Sequence, residues 1–165
     1  MNYTITWKKL PVTLEEMQQL PEAALQKPEH TAALTVAALC VYPENKEECI
    51  RMLNWLRGPR PLSVFEQQFL RDRFMDGRGY IPRSFFAGAV PENEYTPDLP
   101  YTITMSDSHA TIAEEGYRIM DLKSGGADSA RPVTLRLKPS TGQWFLWDQM
   151  LLGMIRVPKS QDPWA

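Results

Sequence analysis

Two histidines occur in the chain, His30 and His109, and the second has the more suggestive setting. His109 closes Ser106-Asp107-Ser108-His109, a polar loop after an alternating apolar run. An imidazole there could shuttle protons near neutral pH, with Asp107 as a second acid–base group. The plainer reading, which carries more weight, is a turn in which the histidine is solvated and its polar neighbours bond the backbone. A second candidate is Ser124-Gly125-Gly126-Ala127-Asp128-Ser129 with Arg131 just behind it. Its amides and hydroxyls suit an anion, and a guanidinium adds a bidentate charge. The competing account is a hairpin loop: Gly125 and Gly126 take positive φ, Asp128 and Ser129 satisfy backbone amides, and Arg131 pairs with Asp128. The third candidate is the long connection from Tyr80-Ile81-Pro82-Arg83-Ser84-Phe85-Phe86 through Pro91 to Pro97. Tyr80 and Arg83 would there line a ligand cleft or partner groove, or else seal the edge of the core.

Larger signatures are missing from the sequence: it has no phosphate-binding Gly-x-x-x-x-Gly-Lys, no dinucleotide fingerprint, no nucleophile elbow and no His-Glu-x-x-His. Cys40 and Cys49 are spaced neither as a zinc pair nor as a redox motif and read as core thiols. The expectation is therefore no metal, no cofactor and no catalytic set.

Helices must position these loops from the N-terminal side. Thr13-Leu14-Glu15-Glu16 is a capping box, and Pro21 and Pro28 break the following stretch into two brief helical turns. Thr31 to Val41 is apolar almost all round, the pattern of a central helix buried on every side, with Pro43 to end it. Asn45 caps a second helix that stops at Gly58-Pro59, and Ser63-Val64-Phe65-Glu66 caps a third that closes near Asp76-Gly77. In that third helix Phe65 with Phe69, and Leu70 with Phe74, fall on adjacent turns.

The period then changes from helix to strand. Tyr101, Ile103 and Met105 alternate with threonines; Tyr117 to Lys123 and Pro132 to Lys138 read as two further strands. The connection between the latter two is too short for a parallel crossover, so they are antiparallel neighbours. Gln143-Trp144-Phe145-Leu146-Trp147 is a last, aromatic strand with large groups on both faces. Either both faces are covered, the preferred reading, or one is exposed to a partner. Residues 150–155 fit a strand or a helical turn equally, and Tyr3 to Thr6 reads as an extra strand.

Several segments together resemble a known family. They are Leu53-Asn54-Trp55-Leu56-Arg57-Gly58-Pro59 with Pro61-Leu62-Ser63, Phe69 to Arg73, Tyr80 to Phe86, and Ala89 to Tyr101. Gly125, Ala127, Asp128 and Ser129 with Arg131-Pro132, and Asp162-Pro163-Trp164, complete the set. The combination, over roughly residues 32–165, is similar to an uncharacterised bacterial family known only as a domain of unknown function. The resemblance implies no reaction, cofactor or site residue.

Composition sets the frame. With 165 residues, 43% apolar and 23% charged, the chain has the balance of one globular domain spanning residues 1–165. Eighteen basic and 20 acidic side chains leave a net charge of -2, so no large field draws it to nucleic acid or an anionic membrane. The start lacks the pattern of a signal peptide, which points to the cytoplasm, and 14 prolines stiffen the connections. The fold expected is α+β, a helical layer at about 13–76 packed on an antiparallel sheet at about 100–157. The function expected is a non-catalytic interaction or ligand-binding module, through a protein partner or self-association. The alternative is a small enzyme or small-molecule binder with a cleft between helices and sheet, using His109 with Arg83 or Arg131; Tyr80 and Asp128 complete the candidate ligand-binding set.

Overall fold

In the computed structural model, which describes residues 1–107 and 113–165, the local signals of the N-terminal half are realised almost one for one. The Thr13 side chain accepts from the Glu16 amide and starts α1 (Leu14–Gln18), and a 3₁₀ turn at Pro21–Ala24 follows. α2 (Pro28–Val41) begins three residues before the apolar run, because a proline fits the first helical position, where its missing N–H has no partner to lose. All its residues except His30 and Cys40 are buried. α3 (Lys46–Arg57) is capped by Asn45, and α4 (Val64–Phe74) by a reciprocal Ser63–Glu66 box. The long connection is largely helical too: residues Arg78–Phe85 wind as 3₁₀ turns and bury Tyr80, Ile81 and Phe85, and a short turn at Pro91–Asn93 follows.

Five strands form one antiparallel sheet in chain order: β1 (Asn2–Trp7), β2 (Tyr101–Ser106), β3 (Tyr117–Leu122), β4 (Arg131–Lys138) and β5 (Gln143–Gln149). The two Tyr-Thr-Ile-Thr segments are neighbours, with Tyr3 opposite Met105 and Ile5 opposite Ile103. Ile5, Ile103, Met120, Val133, Leu135 and Leu146 are buried in the core that also holds α2, and α2 touches β1, β3, β4 and β5. After β5, residues 150–155 are neither strand nor helix and bury Leu151, Leu152 and Ile155, and a 3₁₀ turn at Lys159–Gln161 follows.

The outer strand β5 is tied to the helical layer by polar contacts. Thr31 Oγ1 donates to the Trp144 carbonyl at 2.6 Å, and the Trp144 N–H donates to the Leu25 carbonyl at 2.7 Å. These bonds occupy backbone groups that an edge strand otherwise presents to other chains. Thr31→Val keeps the shape of the side chain and removes the donor to the Trp144 carbonyl. It is expected to lower stability by about 1–2 kcal/mol, read as a fall in the urea midpoint at unchanged slope, whereas Thr31→Ser stays near the wild type.

Candidate functional site

The loops singled out by sequence meet in space, but they meet as a packed seam. Tyr80 is buried and its ring stacks on Tyr95, with centroids 5.3 Å apart and planes 9° from parallel. Arg83, one turn on, donates from Nε to the Tyr95 carbonyl at 3.2 Å and from Nη2 to the Glu94 carbonyl at 3.3 Å. It thereby closes a turn in which Glu94 and Tyr95 both hold positive φ, 59° and 53°, a conformation that survives in such residues only when the surroundings enforce it. The Tyr95 hydroxyl donates to the Arg156 carbonyl, and burial pushes its phenol up to about 12.

The 124–129 loop packs against this tyrosine. Neither Gly125 nor Gly126 is among the glycines at positive φ; both are needed for close approach. A Cβ at Gly125 would lie 2.0 Å from the Ala89 carbonyl oxygen, and one at Gly126 would lie 2.2 Å from the Tyr95 hydroxyl. Ser124 and Ser84 share a hydroxyl hydrogen bond of 2.8 Å, and the Gly125 N–H donates to the Ser84 carbonyl. Asp128 is exposed and pairs with Arg156 at 3.1 Å, not with Arg131. Arg131 instead gathers chain ends: it donates to the carbonyls of Ser129, Gly153 and Met154 and to the Ser129 hydroxyl, over 2.9–3.3 Å. His109 lies outside the described residues. Asp107, its neighbour in sequence, accepts from the Tyr3 hydroxyl and from Arg118. Among the described residues, no group of three or more His, Cys, Asp and Glu side chains could hold a metal ion.

The more unusual surface lies on α4. This helix of eleven residues buries Leu70 and stacks Phe74 on Tyr42 at 4.3 Å, while Phe65 and Phe69 point outward, Phe65 at 85% exposure. The Arg73 guanidinium covers part of Phe69 at 4.8 Å. Met150 and Met154, in the turns after β5, adjoin the ridge and are 63% and 90% exposed. Two grooves of about 520 and 630 Å³ run along it and share Phe69, Arg73, Gln149 and Met150. The spacing that pairs Phe65 with Phe69 was legible; that the pair faces away from the core was not. A signal was present, because the 65/69 and 70/74 pairs lie on different faces, and a helix apolar on two faces needs two covers.

Glu66 anchors the start of α4. Burial alone would raise its carboxyl, but the Ser63 N–H and hydroxyl and the Arg57 guanidinium at 2.8 Å outweigh burial and hold it below the ordinary range. Arg57 is itself buried, and desolvation lowers its affinity for the proton.

The chain belongs to the family described as Domain of unknown function (DUF6935), whose sequence model matches residues 9–159. No curated protein and no solved structure matches it. Among the described residues no helix is long and apolar enough to cross a membrane.

Two outcomes follow from these contacts. Arg131→Lys keeps the charge but loses the planar fork that reaches several carbonyls; it is expected to lose about 1–3 kcal/mol in urea unfolding, and an unchanged midpoint would refute the staple role. Glu66 has a depressed folded value, so its contribution is complete above the unfolded carboxylate range, about 4.3, and is lost as pH falls through the folded value. Thermal melts of Glu66→Gln should therefore be lower than wild type at neutral pH and decline less steeply below about pH 4.

Proposed function

We propose that this member of a family of unknown function is a non-catalytic interaction module that associates with a second copy of itself through the α4 ridge. The observation that carries the reading is the contiguous exposure of Phe65, Phe69, Met150 and Met154. Exposed apolar patches rimmed by polar groups mark contact surfaces, and methionines adapt their shape to what covers them. A helix as short as α4 is marginal without packing, so a cover on its second apolar face adds order where the chain itself supplies least.

A second copy is favoured by the charge pattern. The rim carries both signs, with Glu66 in the first turn and Arg71, Asp72 and Arg73 in the last. Two copies of α4 packed antiparallel about a twofold axis bring the phenylalanines together and set the basic turn of each against Glu66 of the other, as an isologous interface requires. Arg83 and Arg131 give their donors to backbone carbonyls, which leaves the acid–base alternative resting on His109. We take the setting to be the cytosol of a bacterium; two free thiols, Cys49 buried and Cys40 partly so, suit a reducing compartment.

Sedimentation across a concentration series tests the reading. Wild type is expected to move from monomer to dimer, and the double variant F65S/F69S to stay monomeric at every concentration with its melting temperature nearly unchanged under dilute conditions. A wild type that remains monomeric throughout would refute self-association.

A further inference from the structure

Away from the ridge, the link between α3 and α4 folds around the edge of β5 and meets the sheet face opposite α2. Gly58 makes this possible: at φ 62° and ψ -121° it lies against Phe145, where a Cβ would stand 2.7 Å from the ring. The strand answers with a bulge. Leu135 opposes Leu146 and Thr134 opposes Asp148, so Trp147 is the extra residue between them. The Arg60 guanidinium lies 3.9 Å over the Trp147 ring and donates to the Trp147 carbonyl. Arg136, which pairs with Phe145 across β4 and β5, lies 4.7 Å from the same ring and 5.3 Å from that of Tyr117.

Arg60, Arg136 and Trp147 bound a cleft of about 370 Å³, which Pro59, Lys138 and Phe145 complete and Arg57 backs. That volume is within the range of small-molecule sites. Arg57 is paired with Glu66. Arg60, Arg136 and Lys138 form no ion pair among the described residues. Asp148 and Glu114 line an adjoining groove with Tyr117 and Ile119, which shares Trp147 with the cleft. Arg136 and Lys138, without an ion-pair partner among the described residues, thus converge with Arg60, which also acts on Glu66, on an aromatic wall in a chain whose net charge is -2.

We propose that this cleft binds a small dianion with a flat apolar body. The body packs between Phe145 and the guanidinium-covered Trp147, and the charge is held by Arg136 and Lys138 with Arg60 at the rim. Arginine forks match phosphate and carboxylate geometry, and guanidinium groups already stacked on a ring are pre-oriented for a flat ligand. Two sources share this chemistry, a nucleoside monophosphate and an aromatic dicarboxylate. A nucleic acid strand is disfavoured because it needs a basic track longer than one cleft.

Calorimetric titration of the full chain with adenosine 5′-monophosphate, phthalate, inorganic phosphate and adenosine tests the proposal. At least one of the two flat dianions is expected to bind saturably, with inorganic phosphate and adenosine roughly tenfold or more weaker. Arg136→Gln and Lys138→Gln, both exposed positions, should each weaken that binding by roughly tenfold, while F65S/F69S leaves it unchanged. The better of the two dianions identifies the source. Absence of binding by both up to about 5 mM, inorganic phosphate binding as tightly, or indifference to both substitutions would overturn it.

Discussion

Burial of α2 on all sides is the constraint from which the rest of the structure follows. A helix satisfies its own backbone groups, so it can sit where no water reaches, and the alanines at 32, 33, 37 and 38 let its neighbours come close. The sheet lies against it, α3 and the 3₁₀ run from Arg78 to Phe85 pack beside it, and the turn at Pro21–Ala24 closes its entry. Thr31 and Thr35 are also fully buried, and each has a partner: Thr31 bonds the Trp144 carbonyl and Thr35 the Thr31 carbonyl. The price of hydroxyls in the core is met by those bonds, and one of them fixes the position of β5.

Around this centre the chain is irregular and rich in proline, and its carbonyls need donors that prolines cannot provide. Arginines meet that need. Arg83 serves the 94–95 turn, Arg131 the 129 and 153–154 turns, Arg78 the end of α4 through Asp72 and Met75, and Arg57 the Arg60 carbonyl. A guanidinium presents five donors in a plane, which suits it to hold several non-repetitive backbone segments at once. This is why residues that look like anion ligands in the sequence serve as structural ties in the fold.

The α3–α4 link lies between the two outward features. On one side it leads into α4, whose second apolar face is unburied; on the other, Gly58 and Arg60 pack against Phe145 and Trp147. Arg57 borders both the cleft and one groove of the ridge, and its partner Glu66 belongs to the α4 cap. The ridge and the cleft therefore share the Arg57 side chain.

The sequence by itself determined the main helices and strands, though not the 3₁₀ turns at Arg78–Phe85 and Pro91–Asn93. Caps at Thr13, Asn45 and Ser63, the all-round apolar run before Val41, and the alternation in the C-terminal half are local patterns, and local hydrogen bonding and burial periodicity decide them. It also determined that the 124–129 loop is short and its strands antiparallel, since connection length alone excludes a crossover. Tertiary structure alone decided the rest. That Gly125 and Gly126 are small because Ala89 and Tyr95 press on them, that Asp128 pairs with Arg156, that Phe65 and Phe69 face outward, and that Arg60 meets Arg136 over Trp147 are contacts between segments distant in the chain. No local period encodes them, because which side chains meet across such distances is fixed only when the layers pack.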